Sequence, residues 1–207
     1  MTKSTDPESN VSTEEKIKRA ATEVFAQKGF AATRTRDIAE AAGINLALLN
    51  YYFRSKQKLF DGIMLEKLQE LFGRITPIFT DTTTSLEKKI ETLVDYYIET
   101  LIKNPELPLF VLSEIRTHPQ SLSHTIQIAE LFTTSSFAEQ LKAKRPDTNP
   151  LHFIMCLLGM TVFPFVAKPL LKSKTAIDEA SFVAMMTERK RLIPLWMNTI
   201  LETPTKV

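Results

Sequence analysis

The sequence predicts an all-α protein, and three observations favour this fold class. Apolar residues recur every three or four positions through most of the chain, which is the period of a helix with one buried face. No stretch shows the sustained alternation of apolar and polar residues that a half-buried strand requires. Glycine makes up only 5 of the 207 residues, so the turns that typically join strands are scarce. About nine helices are expected from the start and stop signals along the chain.

The first helix is predicted from its capping residues. Ser12 and Glu15 have the spacing of a capping box, in which each side chain satisfies the other's free backbone amide. The helix is therefore expected to begin near Thr13 and to end at Gly29. The residues on its inner face are Ile17, Ala20, Ala21, Val24 and Phe25. Residues 1–11 are polar and are expected to form a flexible arm.

Two short helices joined by a glycine turn follow the first helix. Residues 36–42 form the first of them, and Gly43 ends it because glycine readily adopts a left-handed backbone conformation. The second begins near Asn45, and Leu49 and Phe53 lie four residues apart on its inner face. This arrangement is a helix-turn-helix unit, whose second helix can lie in the major groove of DNA.

The residues around this unit are of the types that bind nucleic acid. Hydroxyl, amide and cationic side chains grip phosphates and base edges. They are Thr33, Arg34, Thr35, Arg36, Asn45, Asn50, Tyr51, Tyr52, Arg54, Lys56 and Lys58. Residues 1–60 carry ten Lys/Arg and seven Asp/Glu, whereas the whole chain has a net charge of +2. A modestly basic N-terminal part on a nearly neutral body suits local contact with DNA.

The rest of the chain is predicted to be a C-terminal helical bundle. A long helix starts after Ser55 and is expected to run to the region of Pro77. The polar stretch 81–85 follows it, and a second capping box extends from Thr84 to Glu87. The later helices are expected at 86–103, 108–117, 120–144, 150–171 and 178–201. Pro164, Pro169 and Pro194 should bend or break the last two. The predicted domains are 12–60 for the helix-turn-helix and 61–207 for the helical bundle.

Several functional classes are disfavoured by composition. The single Cys156 cannot form an intramolecular disulfide, fits a reducing cytoplasm, and is expected to be buried in its apolar run. Residues 1–9 lack the apolar segment of a signal peptide. The longest apolar run, 153–167, is too short to span a bilayer, so no membrane role and a cytoplasmic location are expected.

No catalytic or metal-binding pattern is visible in the sequence. His118, His124 and His152 are scattered, without a carboxylate or cysteine at the spacing of metal ligands. There is no glycine-rich phosphate loop, nucleophile elbow or paired-carboxylate constellation. We therefore expect no metal, no cofactor and no enzymatic activity, and a small helical enzyme is the least favoured interpretation.

Residues 13–60 resemble the tetracycline-repressor (TetR) family of bacterial transcription regulators. The matching residues are Ala21, Phe25, Gly29, Phe30, Thr33, Asp37, Ile38, Ala39, Ala42, Gly43, Ile44, Leu49, Tyr51, Tyr52, Phe53, Ser55, Lys56 and Leu59. The chain departs from the family pattern at Leu46, Ala47 and Asn50, where lysine, glycine and tyrosine are more usual. These departures bear on the operator sequence rather than on the fold.

The resemblance implies a sequence-specific DNA-binding regulator, in particular a repressor of a palindromic operator on double-stranded DNA. The positions that it assigns to DNA binding are Thr33, Thr35, Arg36, Ile44, Asn45, Leu46, Ala47, Leu48, Asn50, Tyr51, Tyr52 and Lys56. Thr35, Tyr51 and Lys56 would contact phosphates, and Asn50 could pair with adenine N6 and N7. Thr33 could instead cap a helix, and Tyr52 could instead pack beneath the motif.

The resemblance also implies a homodimer and a small-molecule effector, with 61–207 as the ligand-binding and dimerisation domain. The last two helices would form the interface, with Phe163, Phe165, Leu192, Trp196 and Met197 as its candidate residues. A small, largely apolar effector would release the protein from DNA. Candidate pocket residues are Phe79, Tyr96, Tyr97, Phe110, Leu112, Phe132, Phe137 and Met160. The alternative function is an all-α protein-interaction module that has lost DNA binding, and the apolar Leu46 and Leu48 favour it.

Overall fold

The computed structural model of the chain describes residues 12–117, 128–175 and 177–203, and within these residues the only regular secondary structure is helical. This confirms the all-α prediction. The chain divides into two compact units, Met1–Lys67 and Leu68–Val207. The boundary lies seven residues later than the one expected after residue 60. The arm at residues 1–11, together with His118 and His124, lies outside the described residues.

Eleven helices are present in the described residues, two more than the sequence suggested. They are α1 (Thr13–Ala32), α2 (Thr35–Ala41), α3 (Leu46–Phe53), α4 (Lys56–Thr80), α5 (Leu86–Lys103), α6 (Leu107–Thr117), α7 (Ile128–Thr133), α8 (Ser136–Lys144), α9 (Pro150–Val166), α10 (Lys168–Thr175) and α11 (Glu179–Glu202). The helix α4 begins in the first unit and ends in the second.

The core of the first unit is an aromatic cluster supported by the inner face of α1. Phe60 on α4 lies edge-on to Phe25 of α1, with ring centroids 5.3 Å apart, and 4.6 Å from the centroid of Phe30. The five residues predicted for the inner face of α1 are all buried. The capping box is also confirmed, because Glu15 N–H donates to Ser12 Oγ and Ser12 N–H donates to the Glu15 carboxylate, each at 3.2 Å.

Gly29 interrupts α1 without ending it. Its φ of 74° and ψ of 160° lie outside the helical region, and the helix resumes as far as Ala32. A side chain at this φ would clash with the backbone, so glycine is the residue that this kink favours. The kink supports the aromatic cluster, because Phe30 follows it directly and its ring contacts both Phe25 and Phe60.

The second unit is built around α5. Its buried residues are Leu86, Lys89, Ile90, Leu93, Val94, Ile98 and Leu101. These residues follow the helical period, and α5 packs against α11, α9 and α8. The helix starts at Ser85, whose hydroxyl accepts the Lys88 N–H, so the cap lies one residue after the predicted capping box at Thr84.

The expected helix at 120–144 is wrong in the part that the structure describes. Residues 134–135 separate α7 from α8, because Ser135 caps a new helix by accepting the Ala138 N–H. Serine and threonine compete with the helical backbone for hydrogen bonds, and the run from Thr133 to Ser136 is composed of them. The predicted helix at 150–171 is likewise divided at Ala167, two residues before Pro169.

A further expectation about the last helices is wrong, and the one about their prolines holds in part. Cys156 is exposed rather than buried, because it lies on the outer side of α9. Pro164 and Pro194 lie inside α9 and α11 without ending either helix. Each proline removes one backbone donor, so the carbonyl four residues earlier needs another partner.

Arg145 ties the loop after α8 to the C-terminal end of α11. Its guanidinium donates to both carboxylate oxygens of Asp147, at 2.8 and 2.9 Å, and to Thr148 Oγ1 at 3.0 Å. A further hydrogen bond reaches the carbonyl of Ile200, in the last turn of α11. The carboxylate raises the pKa of the guanidinium. The buried charge is therefore paired in the planar geometry that arginine favours.

Among the described helices, none combines the length and the apolar character that crossing a bilayer would take.

Candidate nucleic-acid interface

The first helix of the motif, α2, begins at a turn that the Asp37 carboxylate stabilises. Asp37 accepts the Arg34 N–H at 3.0 Å, and Lys28 Nζ lies 3.3 Å from the same carboxylate oxygen. The backbone hydrogen bond from Arg34 and then the lysine lower the pKa of Asp37. A carboxylate also interacts favourably with the positive N-terminal end of a helix. Thr35 and Arg36 are the first two residues of α2 and lie partly or fully in solvent.

The turn between α2 and α3 is a Schellman motif. The Ile44 N–H donates to Ala39 O and the Gly43 N–H donates to Glu40 O, both at 3.0 Å. The motif requires a left-handed residue at its turning point, and Gly43 has a φ of 65°. The predicted glycine turn is therefore present, and it fixes the angle at which α3 leaves α2.

The second helix, α3, has one buried anchor and one exposed face. Asn45 caps it, because its Oδ1 accepts the Leu48 N–H at 2.8 Å. Leu49 is fully buried, whereas Ala47, Asn50 and Tyr51 are exposed. Tyr51 is 79% exposed, an unusual degree for a large aromatic side chain. The exposed side chains therefore belong to the amide and aromatic hydroxyl types that can contact DNA.

The apolar residues of α3 lie partly inside the unit. Leu46, Leu48 and Ile44 are half-buried. Because these side chains pack partly inside the unit, their apolar character is explained without a partner protein. Tyr52 is 40% exposed, and its ring lies edge-on to that of Tyr51 at 5.4 Å between centroids.

Thr33 and Lys56 are both engaged inside the unit. Thr33 is buried, and its hydroxyl donates to Gly29 O at 2.8 Å. Lys56 Nζ donates to Phe30 O at 2.7 Å and to Thr33 O at 2.9 Å, and it lies 4.2 Å from the centroid of the Phe30 ring. An ammonium group has three N–H donors, so one remains for a phosphate. The sequence missed the bonds to these carbonyls because they join residues more than twenty positions apart.

Arg54 is one of the cationic residues around the motif, but it was not among the positions that the family resemblance assigned to DNA binding. It is exposed at the end of α3 and has a φ of 52°, the only positive φ of a non-glycine residue in the described part of the chain. The next residue, Ser55, donates its N–H to Phe53 O across this tight turn. Ser55 then caps α4 by accepting the Lys58 N–H at 3.1 Å. A strained arginine at the end of an exposed helix is a further candidate for contact with DNA.

The residues predicted for an effector pocket all belong to the second unit, and they differ in burial. Phe79, Phe110 and Phe137 are buried, and Phe79 contacts both Phe137 and Phe132. Tyr96, Tyr97, Phe132 and Met160 are half-buried, and Leu112 is exposed. Burial raises the pKa of the Tyr97 hydroxyl. The structure therefore brings together the phenylalanines of α4, α7 and α8 and leaves Leu112 outside them.

The predicted interface residues divide between core and surface. Phe165 and Met197 are buried within their own unit, and Leu192 is half-buried. Phe163 is 65% exposed and Trp196 is 38% exposed. Two exposed apolar residues that the prediction lacked are Met155 on α9 and Leu195 on α11. Helical periodicity identifies an apolar stripe, but it does not show which of two apolar stripes faces outward.

The fold and this surface define a class of protein. An all-helical chain with a helix-turn-helix and an exposed, hydrogen-bonding second helix is a DNA-binding transcription regulator. The model of the family described as "Bacterial regulatory proteins, tetR family" matches residues 17–63. Residues 17–63 therefore form a DNA-binding domain of the TetR family, as the resemblance of the N-terminal residues implied.

Curated relatives of the chain are described as HTH-type transcription regulators. The chain is 26% identical over 201 residues to the probable HTH-type transcriptional regulator YttP of Bacillus subtilis (strain 168), a match that covers 93% of this chain and 96% of the relative. It is 35% identical over 82 residues to the HTH-type transcriptional repressor KstR2 of Mycolicibacterium smegmatis, which covers 40% of each chain. These relatives are regulators and not enzymes.

Solved structures share the fold at low sequence identity. The fatty acid degradation regulator FadR from Bacillus halodurans has a TM-score of 0.61 at 18% identity, over 92% of this chain and 96% of that protein. FadR from Bacillus subtilis, solved in complex with stearoyl-CoA, has a TM-score of 0.56 at 17% identity, over 86% and 96% of the two chains. Identities in this range establish a common fold.

Proposed function

We propose that this regulator represses transcription by binding a palindromic operator as a homodimer, and that a small, largely apolar effector releases it. The observation that carries the proposal is the exposed face of α3, where Asn50 and Tyr51 project from a helix held by the buried Leu49. One such helix contacts few base pairs, whereas two related by a two-fold axis can read a palindrome. The protein would act in the bacterial cytoplasm, where the operator lies.

Each proposed DNA contact follows from the position of its side chain. Asn50 would read a base, because an amide can bond adenine N6 and N7 together. Thr35, Arg36 and Tyr51 would contact phosphates, and so would the remaining donor of Lys56. Ala47 is exposed and small, and it would lie against a thymine methyl group. Thr33, whose hydroxyl is used inside the unit, would act by positioning α2.

The proposed homodimer uses the exposed apolar residues of α9 and α11. Met155 and Phe163 are about two-thirds exposed, and Leu195 is 55% exposed. Large apolar side chains at this exposure are typical of a surface that another chain covers. Phe163 and Trp196 are the two members of the predicted set that would contact the partner. An isologous pairing of the same surface in two copies would provide the two-fold axis.

The proposed effector acts through α4. This helix contributes Leu59 and Ile63 to the core of the first unit, and Leu71, Ile75 and Phe79 to that of the second. An effector can shift the protein away from DNA only by binding one of two arrangements more tightly. The buried phenylalanines of the second unit support an apolar ligand. The ligand of the Bacillus subtilis FadR structure, stearoyl-CoA, carries a long acyl chain and supports the same class.

A titration of DNA tests the proposal. Fluorescence anisotropy with a duplex from the region upstream of the chain's own gene should show tight binding that competitor DNA of unrelated sequence does not remove. Footprinting should reveal two symmetric half-sites about one helical turn apart. Binding that is equally weak on every sequence would contradict operator recognition.

A library of small apolar compounds should then contain members that weaken operator binding, and no change across the library would contradict effector release.

A further inference from the structure

Lys89 is a buried lysine in the core of the second unit. Its side chain is fully buried. It lies on α5 among apolar residues of the same helix face, including Leu86, Ile90 and Leu93. Transferring an ammonium group from water to such a site is costly unless the charge is paired. A buried lysine therefore needs a partner that explains its presence.

The structure gives this lysine a hydroxyl partner but no carboxylate in direct contact within the described residues. Lys89 Nζ donates to Ser136 Oγ at 3.1 Å, and within the described residues no carboxylate lies at ion-pair distance from it. Burial lowers the pKa of Lys89, and the more distant charge of Asp81 opposes this effect only partly. Ser136 is also the first residue of α8, whose N-terminal end carries partial positive charge. The surroundings thus favour an anion beside the lysine.

The hydrogen-bond partner of the lysine is followed in the chain by a member of an aromatic cluster. Ser136 is followed by Phe137, which is fully buried and has its ring centroid 4.7 Å from Phe79 and 6.3 Å from Phe153. Phe132, on the short helix α7, contacts Phe79 at 5.9 Å. One turn along α8, Gln140 Oε1 is buried without a hydrogen-bond partner. The hydroxyl that accepts a hydrogen bond from Lys89 therefore directly precedes, in the chain, a phenylalanine of the cluster.

We propose that Lys89 and Ser136 bind the acidic head group of an amphiphilic effector, with the apolar part of that effector against Phe79, Phe132 and Phe137. This inference rests on the effector release proposed above and replaces a neutral ligand with a long-chain anion. A carboxylate or phosphate supplies the counter-ion that Lys89 lacks and accepts the hydrogen bonds that its ammonium and the Ser136 hydroxyl can donate. Displacement of α7, which is only six residues long, would admit the chain.

Dodecanoate tests this inference, with 1-dodecanol as the neutral molecule of the same chain length. Calorimetric titration below the micellar concentration should show the wild-type protein binding dodecanoate at least about tenfold more tightly than 1-dodecanol, since a hydrogen bond to a charged group contributes on this scale. Lys89→Met should abolish this preference. Ser136→Ala should reduce it by a smaller factor. Lys88→Met is the matched control, because Lys88 is the exposed neighbour paired with Glu91, and it should keep the preference.

The outcomes separate this inference from the proposed function. Lys89→Met is expected to fold, because methionine of similar length removes a buried charge. Equal dodecanoate affinity in Lys89→Met and wild type would overturn the inference, as would a wild-type protein that binds neither probe or does not distinguish them. Operator binding is measured on the same preparations. Lys89-dependent dodecanoate binding without loss of operator affinity would support the site and contradict effector release.

Discussion

At the scale of single residues, Lys56 has two functions in the same side chain. Its ammonium bonds two backbone carbonyls that end α1 and precede α2, and the same group is the proposed contact to a phosphate. The position of α2 therefore depends on the residue that also contacts DNA. Loss of operator binding after substitution of Lys56 would then have two physical causes, which stability measurements can separate.

Substitution of Lys56 by alanine should reduce both stability and DNA affinity. Two hydrogen bonds from a charged group are lost, and two carbonyls lose their partner, so we expect the free energy of unfolding to fall by about 1–2 kcal/mol. Affinity should weaken on all sequences alike, and its dependence on salt should decrease by about one phosphate per protomer. Chemical denaturation and salt titrations measure the two effects. Lys58→Ala, at an exposed position in the same turn, should leave the free energy of unfolding unchanged.

Asn50 should determine sequence preference rather than general affinity. Its side chain is exposed on the outer face of α3, so Asn50→Ala should cost about 1–3 kcal/mol on the cognate operator and little on other DNA. Asn45→Ala serves as a comparison, because it removes the cap of the same helix and should lower stability by about 1 kcal/mol. Equal weakening on every duplex for Asn50→Ala would exclude base reading by this residue.

The residues that could be predicted from the sequence are those whose partners lie close in the chain. The box of Ser12 with Glu15 and the left-handed Gly43 depend on spacings of a few residues. The carbonyl contacts of Lys56 and the pairing of Lys89 with Ser136 depend on the fold, since 47 residues separate the latter two. Resemblance to a family identified Lys56 as important, but it could not reveal what this lysine binds within the protein.

At the scale of helices, the end of α3 carries a strained residue. Arg54 has φ and ψ of 52° and −33°, which are unfavourable for a residue with a side chain. Arg54→Gly should therefore raise the free energy of unfolding by about 1 kcal/mol, because glycine adopts positive φ without a clash. Arg54→Ala is the matched control, since it removes the same charge and keeps the strain. If both variants have the same stability, the strain at this turn contributes nothing.

A hydrogen bond between α9 and α11 replaces the backbone hydrogen bond that Pro164 cannot make. Pro164 has no N–H, so it cannot donate to the carbonyl of Met160 one turn earlier, and Arg189 of α11 donates to this carbonyl at 2.7 Å. Arg189 also lies over the ring of Trp196, 5.4 Å from its centroid. The hydrogen bond from Arg189 to the Met160 carbonyl joins α11 to α9, and these are the two helices of the proposed interface.

A double-mutant cycle tests this compensation. Pro164→Ala restores a donor to the Met160 carbonyl, so Arg189→Met should destabilise the wild-type protein more than it destabilises the Pro164→Ala variant. We expect a coupling of about 1 kcal/mol, within the range of residues that share a partner. The coupling energy between the two substitutions decides the test. The change in unfolding free energy for Arg189→Met alone is not sufficient, because this substitution also removes the Arg189 Nε, which is buried without a hydrogen-bond partner. Additive effects in denaturation experiments would contradict the shared carbonyl.

The helix boundaries that the sequence placed wrongly have a common physical origin. The expected helix at 120–144 contains apolar residues at helical spacing on both sides of Thr134, so periodicity alone joins the two parts. The break arises from the cap that Ser135 makes with Ala138. Capping boxes that begin a helix after a polar loop are easier to recognise than a cap inside a periodic stretch.

At the scale of the whole molecule, the sequence predicted the class of fold and the helix-turn-helix but only part of the apolar surface. Phe165 and Met197 have the same apolar character as Phe163 and Trp196, yet the first pair is buried in the second unit. Composition does not distinguish a residue that fills the core of one chain from one that could contact a second chain. Exposure in the structure supplies this distinction, and it identifies Met155 and Leu195 as further surface residues.

Phe163→Glu should convert the proposed dimer into a monomer. Phe163 is 65% exposed, so its replacement should leave the folded chain stable to within about 0.5 kcal/mol. A carboxylate at the centre of an apolar interface would be desolvated twice, once in each copy, and this cost should prevent association. Sedimentation at micromolar concentration should show a dimer for the wild type and a monomer for the variant.

Ile115→Glu is the matched control for this substitution. Ile115 is a similarly exposed apolar residue on α6, at 53%, and it lies outside the proposed interface, so its glutamate variant should remain a dimer. On DNA, Phe163→Glu should lose affinity for the full palindrome because the two recognition helices are no longer linked, whereas its affinity for a single half-site should be that of the wild type. A Phe163→Glu protein that sediments as a dimer and binds the palindrome normally would show that the two-fold axis lies on another surface.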